Sequence, residues 1–308
     1  GHKPEVIIFY DGVNDTYQGC LTENELLPVN SRENIIQKSI KNNQNNKITA
    51  QSYFWKGQSD YELNNFNESL NSFREFEKKS PSKQLYEKLQ YHYNLGYTLF
   101  KIRNYSLSLK AFEKVVQKQN LYSNSKIRDA FLRLGDAHYG LSKFWLAMEY
   151  YDKSIAISPA QSDYALYQKS ICYGFVDRNS KKITSLEELI DKHPSSSFID
   201  DAYFELANTY TVIGLPEKAI KTYEELVNRF PQSPFLPKAI LNNGLILYNQ
   251  EKLVDAQELL RNLIINNPKD GLAKQALGTL KEISIDLGSV SEFTSWLKKY
   301  EIDAYTDN

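Results

Sequence analysis

Residues 201–231 read DAYFELANTYTVIGLPEKAIKTYEELVNRFP, and residues 130–159 show the same arrangement in AFLRLGDAHYG…WLAMEYYDKSIAISP. In both stretches apolar residues recur at the three- and four-residue spacing of a helix face, first in one segment and then in a second. Both stretches close on a proline, which ends a helix because it lacks a backbone donor and clashes with the preceding turn. Each stretch therefore predicts two consecutive helices, here called helix A and helix B.

The closing position recurs along most of the chain, which indicates an internal repeat. Successive closing positions lie 39, 39, 35, 37 and 37 residues apart, at Pro81, Asn120, Pro159, Pro194, Pro231 and Pro268. The residue 24 positions earlier is small in every repeat: Gly57, Gly96, Gly135, Ser170, Ala207 and Gly244. The residue eight positions earlier is large and apolar: Phe73, Phe112, Tyr151, Leu186, Tyr223 and Leu260. The residue twelve positions earlier is small in five of the six repeats, and in the fourth repeat it is Lys182.

The small residues in helix A have a packing explanation. A glycine inside a helix costs about 1 kcal/mol relative to alanine, so its recurrence requires a compensating contact. We expect the small residue to let helix A approach helix B closely, and the large residue of helix B to fill the space between the two. Lys182 departs from this pattern and should alter one contact between helices.

These four columns resemble the tetratricopeptide repeat (TPR), whose signature is W-x2-L-G-x2-Y…A-x3-F…P. The resemblance covers about residues 49–268, although the spacings exceed the usual 34 residues. It implies an all-α fold, a right-handed helical solenoid of about six helix-turn-helix repeats. Residues 269–308 predict C-terminal capping helices, over 271–288 and 289–302. Residues 1–48 do not fit the repeat, and we expect an irregular segment with a short strand, a short helix and an asparagine-rich linker.

The stretch VIIFYDGVND, residues 6–15, is similar to one sequence block of the SGNH/GDSL hydrolases. In that family the asparagine of the block, here Asn14, supplies an oxyanion-hole donor. The chemistry also requires a serine in a Gly-Asp-Ser motif and a late Asp-x-x-His pair. Here Gly135-Asp136 is followed by Ala137, and Asp191 is one residue too close to His193. We therefore predict no enzymatic activity, with a role as an accessory to an SGNH-type esterase as an alternative.

Composition and charge exclude several other classes of function. Lys and Arg number 37 against 38 Asp and Glu, so the net charge of −1 argues against a nucleic-acid partner. No run of about 18 apolar residues is present, which argues against a membrane span. Cys20 and Cys172 are 152 residues apart, and the four histidines are scattered, so we predict no metal and no cofactor. Catalytic fingerprints such as a P-loop or HExxH do not occur.

The resemblance also places a binding surface on helix A. In TPR arrays the second, fifth, ninth, twelfth and thirteenth residues of helix A line the concave surface, with the small column as the eighth. On this chain these positions predict an aromatic-rich groove for a protein or peptide partner: Phe54, Tyr61, Tyr93, Tyr97, Phe100, Tyr139, Tyr164, Tyr167, Phe204, Asn208 and Tyr248. Tyrosine suits recognition because it combines a flat apolar ring with a polar tip. We expect alanine at Tyr97 and Tyr167 to leave stability nearly unchanged.

The partner that these positions favour is apolar or aromatic. Family members that bind acidic chaperone tails carry Lys and Asn at the fifth and ninth positions, and only Asn208 matches here. The sequence thus predicts a non-catalytic scaffold for a protein partner, with a structural spacer in a longer repeat protein as an alternative. The oligomeric state does not follow from the sequence. The sequence pattern of residues 196–234 resembles that of bacterial envelope-type repeat proteins. This resemblance implies that the protein is located in the periplasm or envelope, with the cytoplasm as the alternative.

Overall fold

A computed structural model describes residues 46–83, 90–266, 268 and 271–302. Their regular structure consists of fourteen α-helices and two short 3-10 helices, without a strand, so the predicted all-α class is confirmed. The segment that contains Asn14, the predicted strand and Cys20 lies outside the described residues. No helix in the described part of the chain is long and apolar enough to cross a membrane.

The chain divides into two compact units, residues 1–123 and 124–308. The described residues of unit 1 form the helices α1 (Asn46–Glu62), α2 (Phe66–Lys79), α3 (Tyr91–Lys101) and α4 (Tyr105–Gln117), followed by a 3-10 turn at Gln119–Leu121. The first helix thus begins three residues before the repeat boundary predicted at residue 49.

The described residues of unit 2 form ten α-helices. They are α5 (Asn124–Gly140), α6 (Phe144–Ile157), α7 (Asp163–Phe175), α8 (Asn179–Lys192), α9 (Ile199–Val212), α10 (Pro216–Arg229), α11 (Leu236–Asn249), α12 (Leu253–Asn266), α13 (Gly271–Asp286) and α14 (Val290–Lys299). A 3-10 turn at Pro159–Gln161 separates α6 from α7. Each helix packs mainly against its neighbours in sequence, and one apolar core runs from Leu166 on α7 to Phe293 on α14. This stacking of consecutive helix pairs is the arrangement of a TPR solenoid.

Every helix A joins its helix B through a three-residue turn with the same backbone geometry. The middle residue of each turn has a positive φ: Asn64, Arg103, Ser142, Asp177, Gly214, Glu251 and Gly288. The amide of the third residue bonds back to a carbonyl in the last turn of helix A, as from Lys143 to His138 over 2.8 Å. These are the features of a Schellman motif, which usually uses glycine. Only two of the seven positions are glycine, so the sequence alone does not reveal the motif.

The predicted contact between the small and large columns is present in both units. A Cβ placed on Gly57 would lie 2.9 Å from the Phe73 ring, and one on Gly244 would lie 2.7 Å from Leu260. Real Cβ atoms do not approach other atoms so closely, so even an alanine at these positions would force the facing side chain to shift. In unit 1 the third column adds a hydrogen bond, since the Ser69 hydroxyl donates to the Gly57 carbonyl over 2.7 Å.

Lys182 of α8 stands where the other repeats have a small residue, and its side chain extends along α7, the helix A of this repeat. A Cβ on Gly174 of α7 would lie 3.4 Å from Cδ of Lys182, so the aliphatic chain passes beside this glycine. The ammonium group reaches Glu205 on α9, with 2.6 Å between Nζ and Oε2. The departure from the pattern thus becomes an ion pair between two successive helix pairs.

Candidate functional site

The predicted groove residues of unit 1 belong mostly to its core. Phe54 is only 1% exposed and packs against Phe73 and Phe76, with ring centroids 5.7 and 5.5 Å apart. Tyr97 is 6% exposed, and its ring meets Phe112 edge to face at 5.3 Å. The expectation that these rings line an open groove is wrong, because the large residues of helix B extend far enough to cover them.

Two further groove residues of unit 1 are buried in the same way, and one is not. Tyr93 packs against Tyr97 and Phe112, and Phe100 packs against Tyr105. Both are buried. Tyr61 is half-buried and contacts Phe66 and Tyr97. In unit 1, therefore, only Tyr61 of the five predicted residues retains ring surface.

In unit 2 the aromatic residues at the fifth position of helix A are covered by the next repeat. Phe198 stacks on Tyr167 with centroids 5.4 Å apart, and Phe235, 37 residues later, stacks on Phe204 at 4.9 Å. Phe204 is buried as a result, which corrects its assignment to an open groove. Tyr167 stays half-buried.

A serine two residues before each covering phenylalanine holds it in place. The Ser233 hydroxyl donates to the Asp200 carboxylate over 2.7 Å and accepts from the Phe235 amide over 3.2 Å. Ser196 makes the same two bonds, to Asp163 and from Phe198. Sequence reasoning missed this device, although a Ser-x-Phe step precedes both α9 and α11.

Tyr164 takes part in a buried polar network around Asp136. The hydroxyls of Tyr151 and Tyr164 donate to one carboxylate oxygen over 2.8 and 2.9 Å, and the Arg133 guanidinium donates to the other over 2.7 Å. Burial raises the pKa of Asp136, and the charge of Arg133 opposes this effect. The network joins α5, α6 and α7, so the Tyr164 hydroxyl serves packing between repeats.

Asn208 also has a structural partner. Its side-chain oxygen accepts from the Tyr223 hydroxyl over 2.6 Å and from the Asn242 amide over 3.1 Å. The Asn242 amide also donates to the Tyr223 oxygen over 3.2 Å. The match of Asn208 to a carboxylate-clamp position is thus explained by contacts within α9, α10 and α11.

Acidic side chains lie beside the tyrosines of α5 and α7. The Tyr167 hydroxyl donates to Asp201 on α9 over 3.3 Å. Burial, with a smaller contribution from the neighbouring Asp200, raises the pKa of Asp201 to about 6. Burial likewise raises the pKa of Tyr139 to about 12, with smaller contributions from Cys172 and Glu205. Burial also raises the pKa of Tyr167. Tyr139 and Tyr167 are therefore neutral hydrogen-bonding groups at physiological pH.

A partly accessible aromatic surface of unit 2 is a cluster of three rings, Tyr139, Phe144 and Phe175, here called the aromatic cluster. Phe144 and Phe175 stack with centroids 4.6 Å apart and planes 4° from parallel, and Tyr139 meets both rings edge-on. Phe175 is 46% exposed. Sequence reasoning missed Phe144, because it lies at the start of helix B.

Two further residues of unit 2 bear on binding or reactivity, Tyr248 and Cys172. Tyr248 on α11 is half-buried, and its hydroxyl donates to Asp286 on α13 over 3.3 Å. Cys172 is buried, and burial raises the pKa of its thiol to about 12, so it stays protonated. Within the described residues, no group of three or more His, Cys, Asp or Glu side chains is placed to hold a metal ion.

Two family models match the sequence, both described as tetratricopeptide repeat. One covers residues 56–122 and 93–162, and the other covers residues 201–233. The Gly57–Phe73 contact described above lies within the first of these ranges, and the Gly244–Leu260 contact lies outside them. The chain contains tetratricopeptide repeats. No curated protein matches the sequence significantly.

Solved structures similar to this TPR protein share its fold at low sequence identity. The apo form of RapI matches with a TM-score of 0.62 and 14% identity, over 85% of this chain and 82% of that chain. A tetratricopeptide repeat protein from Parabacteroides merdae matches with 0.54 and 12%, over 84% and 94%. YrrB, described as a TPR protein with an unusual peptide-binding site, matches with 0.50 and 17%, over 66% and 96%. These structures share a helical repeat fold with the chain.

Proposed function

We propose that this TPR protein binds a segment of a protein partner on the face formed by helices α5, α7, α9 and α11 of unit 2. The observation that carries the proposal is the aromatic cluster, which leaves nearly half of the Phe175 side chain exposed. Aromatic residues on an exposed surface are preferred interaction anchors. YrrB supports the proposal as a protein of similar fold that is described as having a peptide-binding site.

The neighbouring side chains indicate what kind of segment would fit. Val212 occupies the same position of helix A as Phe175, one repeat later, and is 75% exposed. Together they extend the apolar surface beyond the cluster. Tyr139 and Tyr167 are half-buried and neutral, and each can exchange hydrogen bonds with a partner backbone. The segment is therefore apolar or aromatic, in extended or helical form.

The test uses peptides selected from a displayed random library against the full chain. Their affinities are then measured by fluorescence anisotropy for the wild type and for the double variant Phe175→Ser, Val212→Ser. Phe175 is 46% exposed and Val212 75% exposed, so the double variant should retain the fold, which circular dichroism checks. We expect roughly 30-fold weaker binding, the size of effect that follows loss of an interface anchor.

The matched control is the double variant Trp145→Ser, Val254→Ser. These side chains are also largely exposed, at 55% and 67%, but they lie at the starts of helices α6 and α12. We expect the control to bind like the wild type. Equal losses in the two double variants, or the absence of any selected peptide, would contradict the proposal and favour a structural spacer.

A further inference from the structure

A cavity of about 250 Å³ opens in unit 1, between the B helices α2 and α4, with α3 as its floor. Leu95 and Leu99 form the apolar base, and Leu70 and Ala111 form the walls. The residues of α3 that line it are at the third, fourth, seventh and eleventh positions of helix A. The predicted groove uses other positions, so the cavity is a different surface from the proposed binding face.

The repeat itself shows why the cavity is open here. Three residues that line it, His92, Leu99 and Ala111, correspond after 39 residues to Phe131, His138 and Tyr150 of unit 2. In unit 2 the Tyr150 ring stacks on His138 at 5.2 Å and on Phe131 at 6.3 Å. In unit 1, Ala111 takes the place of Tyr150 and so removes the ring that contacts the other two, while His92 and Leu99 take the places of Phe131 and His138. The cavity is thus the space that an aromatic stack occupies one repeat later.

The charges around the cavity indicate what kind of group should accompany a ring that binds there. In unit 2 the Lys153 ammonium lies 4.6 Å from the centroid of the Tyr150 ring. The corresponding residue of unit 1, Lys114, lines the cavity without such a ring, together with Lys110 of α4 and Arg74 of α2. Among the described residues, none of these three cations has an ion-pair or hydrogen-bond partner. Lys110 also reverses the charge of its equivalent, Glu149.

One acidic residue faces the cations. Glu77 lines the cavity from α2 and accepts a hydrogen bond from the buried Tyr91 hydroxyl over 3.4 Å. Three cations against one carboxylate leave the cavity net positive. A positively charged rim around an apolar space attracts a ligand that combines a ring with negative charge.

We propose that this cavity binds one aromatic side chain of a partner polypeptide, flanked in the partner sequence by Asp or Glu. The ring would lie on Leu95 and Leu99 beneath the Lys114 ammonium, as Tyr150 lies beneath Lys153. Arg74 and Lys110 would bind the flanking carboxylates. The volume is below the roughly 300–1,000 Å³ of pockets that hold whole drug-sized ligands, and it suits a single side chain.

The probe is a short fluorescein-labelled peptide of Glu, Asp, Gly and Ser with one central Phe, titrated with the full chain. One control peptide carries Ala in place of Phe, and a second carries Gln and Asn in place of the acids. We expect the Ala peptide to bind roughly 30-fold more weakly. The uncharged peptide should bind roughly tenfold more weakly, and added salt should reduce this difference.

The variant Leu99→His, Ala111→Tyr fills the cavity with the pair that unit 2 already contains. It should abolish binding of the Phe peptide while circular dichroism remains that of the wild type. A second variant, Lys110→Glu, changes only an exposed residue, so it retains the fold even if the filled variant does not. It should weaken binding roughly tenfold. Lys221→Glu, at the corresponding exposed position of α10, is the matched control and should bind normally.

Several results would overturn the proposal. Equal binding of the Phe and Ala peptides would show attraction by charge alone. Unchanged binding by Lys110→Glu, or by a folded filled variant, would place the peptide elsewhere. If free 3-phenylpropionate fully displaced the Phe peptide at concentrations similar to those of the peptide, the cavity would be a small-molecule site. A dimer that Lys110→Glu dissociates would assign the cavity to a second copy of the chain. Phe175→Ser should not affect this peptide, which separates the test from that of the proposed function.

Discussion

Gly135 of α5 lies directly against the ring of Tyr151 of α6, since a Cβ on the glycine would be 2.5 Å from Cε1 of the tyrosine. The same tyrosine donates its hydroxyl to Asp136, the residue that follows the glycine. The ring is therefore held at its face by helix packing and at its tip by a buried hydrogen bond. This contact defines the distance between helix A and helix B in that repeat.

Substitution of Gly135 should destabilise the protein in proportion to the size of the new side chain. Gly135→Ala forces a shift of a fully buried ring, and overpacking of this kind costs about 1–3 kcal/mol. Gly135→Leu should prevent folding of the repeat. The measurement is the free energy of unfolding in urea, followed by circular dichroism.

Gly278→Ala is the matched control for Gly135. Gly278 lies inside helix α13, and a Cβ there would meet nothing within 4 Å. Alanine should stabilise this helix by up to about 1 kcal/mol, because only the helix propensity changes. A Gly135→Leu protein as stable as the wild type would refute the assignment of the small and large columns.

Tyr97→Ala should destabilise unit 1, contrary to what the groove position suggests from sequence. The ring packs among Tyr93, Phe112 and Tyr61, and removal of a buried aromatic side chain costs about 3–5 kcal/mol. Tyr97→Phe keeps the ring and should cost far less. Thermal unfolding of the two variants distinguishes them. If the Tyr97→Ala protein unfolded at the wild-type temperature, Tyr97 would be a groove residue and not part of the core.

The carboxyl group of Asp201 should make stability depend on pH. Its pKa is raised from 3.8 to about 6, mainly by burial, so the folded state holds the proton more tightly than the unfolded state. By linkage, the contribution of this group to stability falls as the pH rises from 3.8 towards about 6. Asp201→Asn cannot ionise and should lack this loss, so it should gain stability relative to the wild type above that range.

The comparison requires unfolding free energies of the wild type and Asp201→Asn at about pH 4 and about pH 7. Glu258→Gln, which removes an exposed carboxylate from α12, is the control and should track the wild type. If the difference between wild type and Asp201→Asn were the same at both pH values, Asp201 would not be the group responsible.

Much of the repeat could be predicted from local patterns. The Gly57 and Phe73 columns have fixed spacing, because a small residue in helix A and a large residue in helix B must meet at one level in each pair. That contact lies within a single repeat, so sequence spacing is sufficient to find it. Lys182 marked the repeat whose contact differs, although the sequence did not indicate Glu205 as its partner.

The accessible surface could not be predicted in the same way. Phe54, Tyr97 and Phe204 occupy groove positions by register, yet each is covered by another ring. Covering depends on side chains from helix B or from the next repeat, and the helix A positions carry no information about them. Phe144 was missed for the same reason, since it belongs to helix B and joins the aromatic cluster only through folding.

By itself the sequence determined the all-α repeat fold, because its period and its small and large columns reflect contacts within one helix pair. Only the tertiary structure decided which aromatic residues are free for a partner. It also revealed the cavity beside Leu99 and Ala111. The cavity exists because these two residues lack the rings that His138 and Tyr150 carry at the same positions one repeat later. Exposure and empty space depend on side chains that are distant in sequence, so they emerge only when the repeats pack against one another.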